Sequence, residues 1–190
     1  GSGLLTWEAV RQAPEGGVWA LSADPQAAEA LRQQAERLPE VERPVILIGQ
    51  AAELPFMLAL RDEEDVRFDR ILGRNVVSRS DERAEILGIL RDRLGDTGRL
   101  VLSQSIPRHT QRLHALIDWS SDEALGERVA TVEEAIYHDG NDPLVNWDAT
   151  DLTADLRAAG FADVTLALEP QTEERRITPD QLARWFGEGE

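Results

Sequence analysis

The chain has 190 residues, 42% of them hydrophobic and 29% charged, which is enough for one domain around a continuous core. Its 36 acidic against 20 basic side chains leave a net charge of −16, and a surface that acidic repels phosphate backbones and argues against nucleic-acid binding by the chain on its own. It holds no cysteine, which removes disulfides, thiolate metal sites and cysteine nucleophiles, and no apolar run of membrane-spanning length or signal peptide, so the cytoplasm is the expected compartment.

In chain order, Leu4, Leu5, Ala9 and Val10 share one face of a helix over residues 4–13, stopped by Pro14-Glu15-Gly16-Gly17. Val18-Trp19-Ala20-Leu21 reads as a short buried strand. Asp24-Pro25 is a cap followed by a first-turn proline, and it opens a helix to about Leu38 with Ala27, Ala30, Leu31 and Ala35 inward. Pro44 to Gly49 is a second strand. A looser stretch with Leu54, Phe56, Met57, Leu58 and Leu60 leads to a third, Phe68 to Gly73. Ser80 caps a helix from Asp81 to Leu94, the turn Gly95-Asp96-Thr97-Gly98 follows, and Arg99 to Gln104 is the fourth strand. Helices and strands alternate across short turns, the mark of βαβ units on a parallel sheet.

From residue 105 the pattern changes. A helical excursion runs to residue 150, carrying Trp119 and Trp147 and two helices, one capped by Ser120 with Glu123 three residues on. A helix over 151–159, a strand over 164–168, a final strand in "ERRIT" and a terminal helix opened by Thr178-Pro179-Asp180-Gln181 complete the chain. The organisation is one domain, with an alternating helix–strand half over 1–104, the excursion over 105–150 and a closing part over 151–190.

The ordered phrases "VWALSADPQAAEAL", "PVILIGQAAELP", "FDRILGRNVV", "GDTGRLVLSQ" and "LRAAGFADVTLALE" resemble the class I S-adenosylmethionine-dependent methyltransferases over most of the chain. The resemblance implies an α/β, doubly wound, Rossmann-like sheet with a helical insertion before a C-terminal β-hairpin, and it makes residues 1–104 the nucleotide-binding half. It also implies that "GSGLL" is the end of a glycine-rich cofactor loop, so that the first strand of the family lies outside this sequence and Gly1 and Gly3 are loop remnants; an expression-tag scar is the alternative. The sheet edge so exposed is expected to be compensated, either by direct pairing of the strands at Trp19 and Phe68 or by a neighbouring chain in a dimer. A second resemblance, in "GRLVLSQSIPRHTQRL", "EEAIYHDGNDPLVNWD" and "ERRITPDQLARWF", is to an extension behind some bacterial replication-associated recombination (RarA/MgsA-type) AAA+ ATPases. It implies a covalently linked ATPase, although the chain has no phosphate-binding G-x-x-x-x-G-K-[ST] loop of its own.

The methyltransferase resemblance places S-adenosylmethionine on Gly1, Gly3, Ser22, Asp24, Gln50 and Ala51. Ser22 stands where the family has its ribose-binding carboxylate, with Asp24 two residues on, and Gln50 stands near the adenine. Asn75 and His109 are the catalytic candidates, the first beneath the transferred methyl and the second as a base. Arg74 and Arg108 are candidates for gripping the acceptor. Three of them also have a plainer reading: Asp24 as a helix cap, Asn75 as a turn residue, His109 as a solvated loop histidine. His114 and His138 show no carboxylate spacing for a metal, and the series Asp122, Glu123, Glu127, Glu133, Glu134 reads as a solvated helix face. Two functions follow: a methyltransferase with its acceptor unassigned, or a non-catalytic accessory domain of the ATPase.

Overall fold

The two apolar runs of the first fifty residues become strands β1, Trp19–Ser22, and β2, Val45–Ile48, which pair in parallel with Trp19 opposite Val45 and Ser22 opposite Ile48. The computed structural model describes residues 3–78, 80–172, 174 and 176–186. Two helices precede and join these strands: α1, Leu4–Gln12, and α2, Pro25–Ala35. Asp24 caps α2 by accepting the Gln26 amide at 2.9 Å. Its Ala28, Leu31 and Ala35 are buried, as is Ala20 of β1, and these four lie outside the main core cluster. The alternation of side chains along a strand puts Trp19, Val45 and Leu47 on the opposite face, packed into that cluster. The first sheet is therefore covered on both faces.

α1 departs from expectation. None of its residues is buried, and Leu4 is 74% exposed with Leu5 also exposed, because Trp7 rather than the leucine pair turns toward α2 through Gly3 and Leu31. Glu8 accepts from Arg11 and Gln12 on the helix surface, and these bonds hold its carboxyl down to about 2.

The stretch after β2 that reads as loose is ordered. A 3-10 turn over residues 51–53 runs into α3, Leu54–Ala59, which buries Leu54 and Leu58. A capping box starts it: Gln50 donates its amide to Glu53 Oε2 at 2.7 Å while its side chain accepts from the Glu53 amide.

The second parallel pair is β3, Phe68–Arg74, and β4, Leu94–Ser103, with α4, Arg83–Asp92, between them. The glycine turn expected before β4 lies inside it. The register shifts between Phe68 and Arg70, and a Cβ on Gly98 would stand 2.9 Å from the Phe68 carbonyl oxygen. Glycine is needed where a bulge brings two backbones that close. The α4 helix begins two residues later than expected, because Ser80 Oγ takes the Glu82 amide at 3.0 Å and forms a turn before the helix.

Among the described residues β1 and β3 share no ladder, so the direct pairing expected of them is not formed. Their amino ends instead meet through side chains, with the Trp19 and Phe68 rings edge to face at 5.9 Å. The result is a mixed α/β structure with two short parallel sheets packed on one core: Leu47, Leu54, Leu58, Val77, Ile86, Leu87, Leu90, Trp147 and Leu152. The last two come from the excursion and from α6, Ala149–Ala158, whose Asp155 ties to Arg83 of α4 at 3.0 Å.

Within the excursion lie two 3-10 turns, over residues 107–109 and 114–116, and the single α-helix α5, Glu123–Ile136. Asp122 caps α5 by accepting the Leu125 amide at 2.9 Å. Ser120 does not, since its hydroxyl as well as its amide, the latter at 3.0 Å, is turned back to Asp118. The expected closing hairpin is absent among the described residues: 164–168 and 176–178 form no strand, although Leu166 packs on the core. Thr178 donates its amide to Gln181 Oε1 at 3.0 Å, which commits it to the cap of α7, Pro179–Phe186, and takes it out of any ladder. Arg175 of the expected strand lies outside the described residues.

Candidate functional site: the carboxyl ends of the two sheets

Ligands of open α/β sheets settle beyond the carboxyl ends of parallel strands, where loops leave backbone groups and polar side chains unconsumed. Ser22 ends β1 and Gln50 follows β2, and pairing makes them neighbours: the Gly49 amide donates to the Ser22 carbonyl at 3.0 Å. The four candidates Ser22, Asp24, Gln50 and Ala51 are thus brought together. Local bonds already occupy part of each. Ser22 Oγ donates to the Asp24 carbonyl at 3.1 Å and accepts its amide at 3.3 Å, Asp24 Oδ1 holds the Gln26 amide, and Gln50 and Ala51 form the start of the 3-10 turn. What remains is Asp24 Oδ2 as an acceptor and the Gln50 side-chain Nε2 as a donor, its backbone amide and Oε1 being taken by Glu53. Gly3 does not join them. It caps α1 against Leu31, six residues and about 9 Å along α2 from its start. Gly1 lies outside the described residues.

At the other pair, a polar cleft of about 730 Å³ opens between the ends of β3 and β4, lined by Arg74, Ser105, His109, Thr110, Gln111, Gln171 and Thr172. Two sequence candidates 35 positions apart, Arg74 and His109, meet in its wall. Asn75 stands beside it at φ 53°, the left-handed region that asparagine tolerates better than most residues. Its amide donates to the Ser103 carbonyl at 2.8 Å, and its Oδ1 accepts the Ser105 amide at 2.8 Å and Ser78 Oγ at 3.2 Å. Asn75 therefore pins the exit of β3 to the exit of β4. Gln104 completes the clip, accepting from Ser78 Oγ at 2.9 Å.

Arg108 is drawn away from the cleft. It pairs with Asp148 at 3.1 Å and Asp151 at 3.7 Å and donates to Asn146 Oδ1, fastening the turn after β4 to the start of α6. Burial pushes the Asp148 carboxyl up, but the Thr150 and Asp151 amides and the Arg108 guanidinium outweigh it and hold it below the usual aspartate range.

Further along, the acidic series reads differently from a solvated face. Glu133 accepts the Leu113 amide at 2.7 Å, the His114 amide at 2.9 Å and His114 Nδ1 at 2.7 Å. Burial raises its pKa, and these bonds more than reverse the effect. Glu134 takes Arg112 Nε at 2.8 Å, and the guanidinium lies 3.7 Å from the Tyr137 ring centroid. His114 is thus half of a hydrogen-bonded dyad with Glu133, whereas His138 bonds the Glu134 carbonyl at the helix end as its position suggested. The 19- to 22-residue separations of these partners leave no sequence signal. Trp119 and Trp147 fix the excursion: Trp119 donates to the His114 carbonyl at 2.8 Å, and Trp147, fully buried, donates to the Leu144 carbonyl at 3.1 Å under the Arg83 guanidinium.

Among the described residues no group of three or more histidine, aspartate or glutamate side chains is disposed to hold a metal ion, and no helix is long and apolar enough to cross a membrane. Comparison with protein-family models, with curated proteins and with solved structures finds no match to this chain.

Proposed function

We propose that the chain is a methyltransferase-like α/β domain that binds S-adenosylmethionine at the ends of β1 and β2, with a Rossmann-like, doubly wound ancestry behind its two parallel pairs. The observation that carries this reading is the adjacency of Ser22 and Gln50 across paired strands, with the unspent Asp24 Oδ2 and Gln50 Nε2 beside them. These groups match a ribose hydroxyl, which donates, and an adenine ring nitrogen, which accepts. When bound, S-adenosylmethionine supplies a methyl group on a positively charged sulfur. The chain's own part is positional: Arg74 orients an anionic or polar acceptor in the polar cleft, His109 holds or removes its proton, and Asn75 keeps the two strand exits in register. The test is calorimetric titration with S-adenosylhomocysteine. Binding at micromolar concentration that weakens in Asp24→Ser, a substitution retaining a capping oxygen, supports the reading. No heat at millimolar ligand overturns it.

A second reading is favoured by the local bonds on Ser22, Asp24 and Gln50 and by the displacement of Gly3. It makes the chain a non-catalytic accessory domain, linked to an AAA+ ATPase of the replication-associated recombination type. A silent titration, together with altered ATPase turnover when the chain is joined to such an ATPase, supports it.

A further inference from the structure

Side chains on the β3–β4 sheet alternate between the core and the outside. Ile71, Leu100 and Leu102 pack inward, and the outer face carries three registered pairs: Arg70 opposite Arg99, Leu72 opposite Val101, and Arg74 opposite Ser103. All six are exposed, with Leu72 at 48% and Val101 at 56%. Parallel strands joined by helical crossovers are ordinarily covered on both faces, as β1–β2 is. Among the described residues no ion pair reaches Arg70, Arg74 or Arg99. Arg70 bonds only the carbonyl of its neighbour Asp69, at 2.6 Å. In a chain of net charge −16, three unpaired cations have gathered on one sheet face, two of them directly opposite each other, a like-charge arrangement that costs stability.

We infer that this face docks an acidic amphipathic α-helix of a protein partner. Such a helix laid along the strands sets its apolar stripe on Leu72 and Val101 and its carboxylates against the arginines at either end. The dimensions agree. Arg70 and Arg74 are four strand residues apart, about 13 Å, close to the rise of eight residues of helix, about 12 Å. Carboxylates eight positions apart sit about 80° from each other around the helix, on one broad face, with apolar residues between them. The face lacks any aromatic side chain on which a base could stack, and the rest of the chain repels phosphate, so single-stranded nucleic acid fits less well. This inference does not rest on the cofactor reading, and its test uses Arg70 and Arg99, which do not line the polar cleft.

The experiment measures fluorescence anisotropy of a labelled helical peptide of about sixteen residues, with a leucine stripe and glutamates about eight positions apart. It is titrated with the intact chain. Saturable binding is expected, weakened roughly tenfold by the double charge reversal Arg70→Glu with Arg99→Glu and recovered when the peptide's glutamates become lysines. The single variant Arg99→Glu separates docking from folding. It turns the Arg70–Arg99 repulsion into an attraction, so its melting temperature holds or rises while peptide binding falls. Absence of saturable binding, affinity unchanged by the reversal, or a labelled oligothymidine that binds more tightly than the peptide would overturn the inference.

Discussion

Trp147→Ala probes the joint on which the excursion depends. The Trp147 side chain is fully buried in the core cluster with Leu58, Leu87 and Val77, donates to the Leu144 carbonyl, and has the Arg83 guanidinium 5.1 Å from its ring centroid. Truncating a buried tryptophan costs about 3–5 kcal/mol. The orphaned Leu144 carbonyl adds about 1 kcal/mol, and loss of the partly desolvated cation–π contact about 0.5–2 kcal/mol. Arg83 keeps Asp155 and the Pro143 carbonyl, at 3.0 and 2.7 Å, so some of the joint survives and the total falls in the lower part of the summed range, about 5–6 kcal/mol. Against a domain stability of about 5–15 kcal/mol this removes much of the margin. Urea unfolding followed by circular dichroism should show the midpoint falling by roughly 2 M or more, given an m-value of about 1–3 kcal/mol per molar. Trp147→Phe keeps a ring under Arg83 and forfeits the donor, for about 1–2 kcal/mol. If Trp147→Ala unfolds within about 1 kcal/mol of the parent, the excursion is not anchored at this point and the description of the core is wrong.

Two glycines of helix interiors should respond in opposite directions to alanine. Gly88→Ala, with open space where its Cβ would go, should stabilise by about 0.5–1 kcal/mol. Gly126→Ala would put a Cβ 2.7 Å from Trp119 Cγ, and thermal melts should show a lower Tm despite the better helix former. Glu133 titrates below its ordinary value of 4.5 in the folded chain, so its contribution is complete at neutral pH and is lost as acid protonates it below that value. Glu133→Gln should flatten the acid limb of a stability-against-pH curve, and an unchanged limb would refute the dyad's part in it. Asp148→Ala removes the cap of α6 and the partner of Arg108 together, which should cost about 1–2 kcal/mol in chemical unfolding.

What the sequence determined on its own is local. Apolar runs at 19–21 and 45–48 and the mixed run Phe68-Asp69-Arg70-Ile71-Leu72 became strands, Asp24-Pro25 opened α2, and Thr178 with Gln181 boxed the start of α7, because strand burial and helix capping act over a few neighbouring residues. The capping box at Gln50 and Glu53 was equally legible and marks a helix start within a stretch that looked loose. Of the candidate site, the placement of Ser22 and Gln50 followed from strand ends, and the meeting of Arg74 with His109 followed from both leaving a parallel pair at the same end. Tertiary structure alone decided the rest. Asp122 displaced Ser120 as a cap because Asp118 had taken the Ser120 hydroxyl along with its amide. Arg108 turned from the cleft to Asp148, and Glu133 and Glu134 left the solvent for His114 and Arg112, choices made by partners some twenty to forty residues away. The separation of the two sheets is of the same kind: periodicity says that a segment is a strand, and only the packing of Trp19 on Phe68 determines which edge it leaves unpaired.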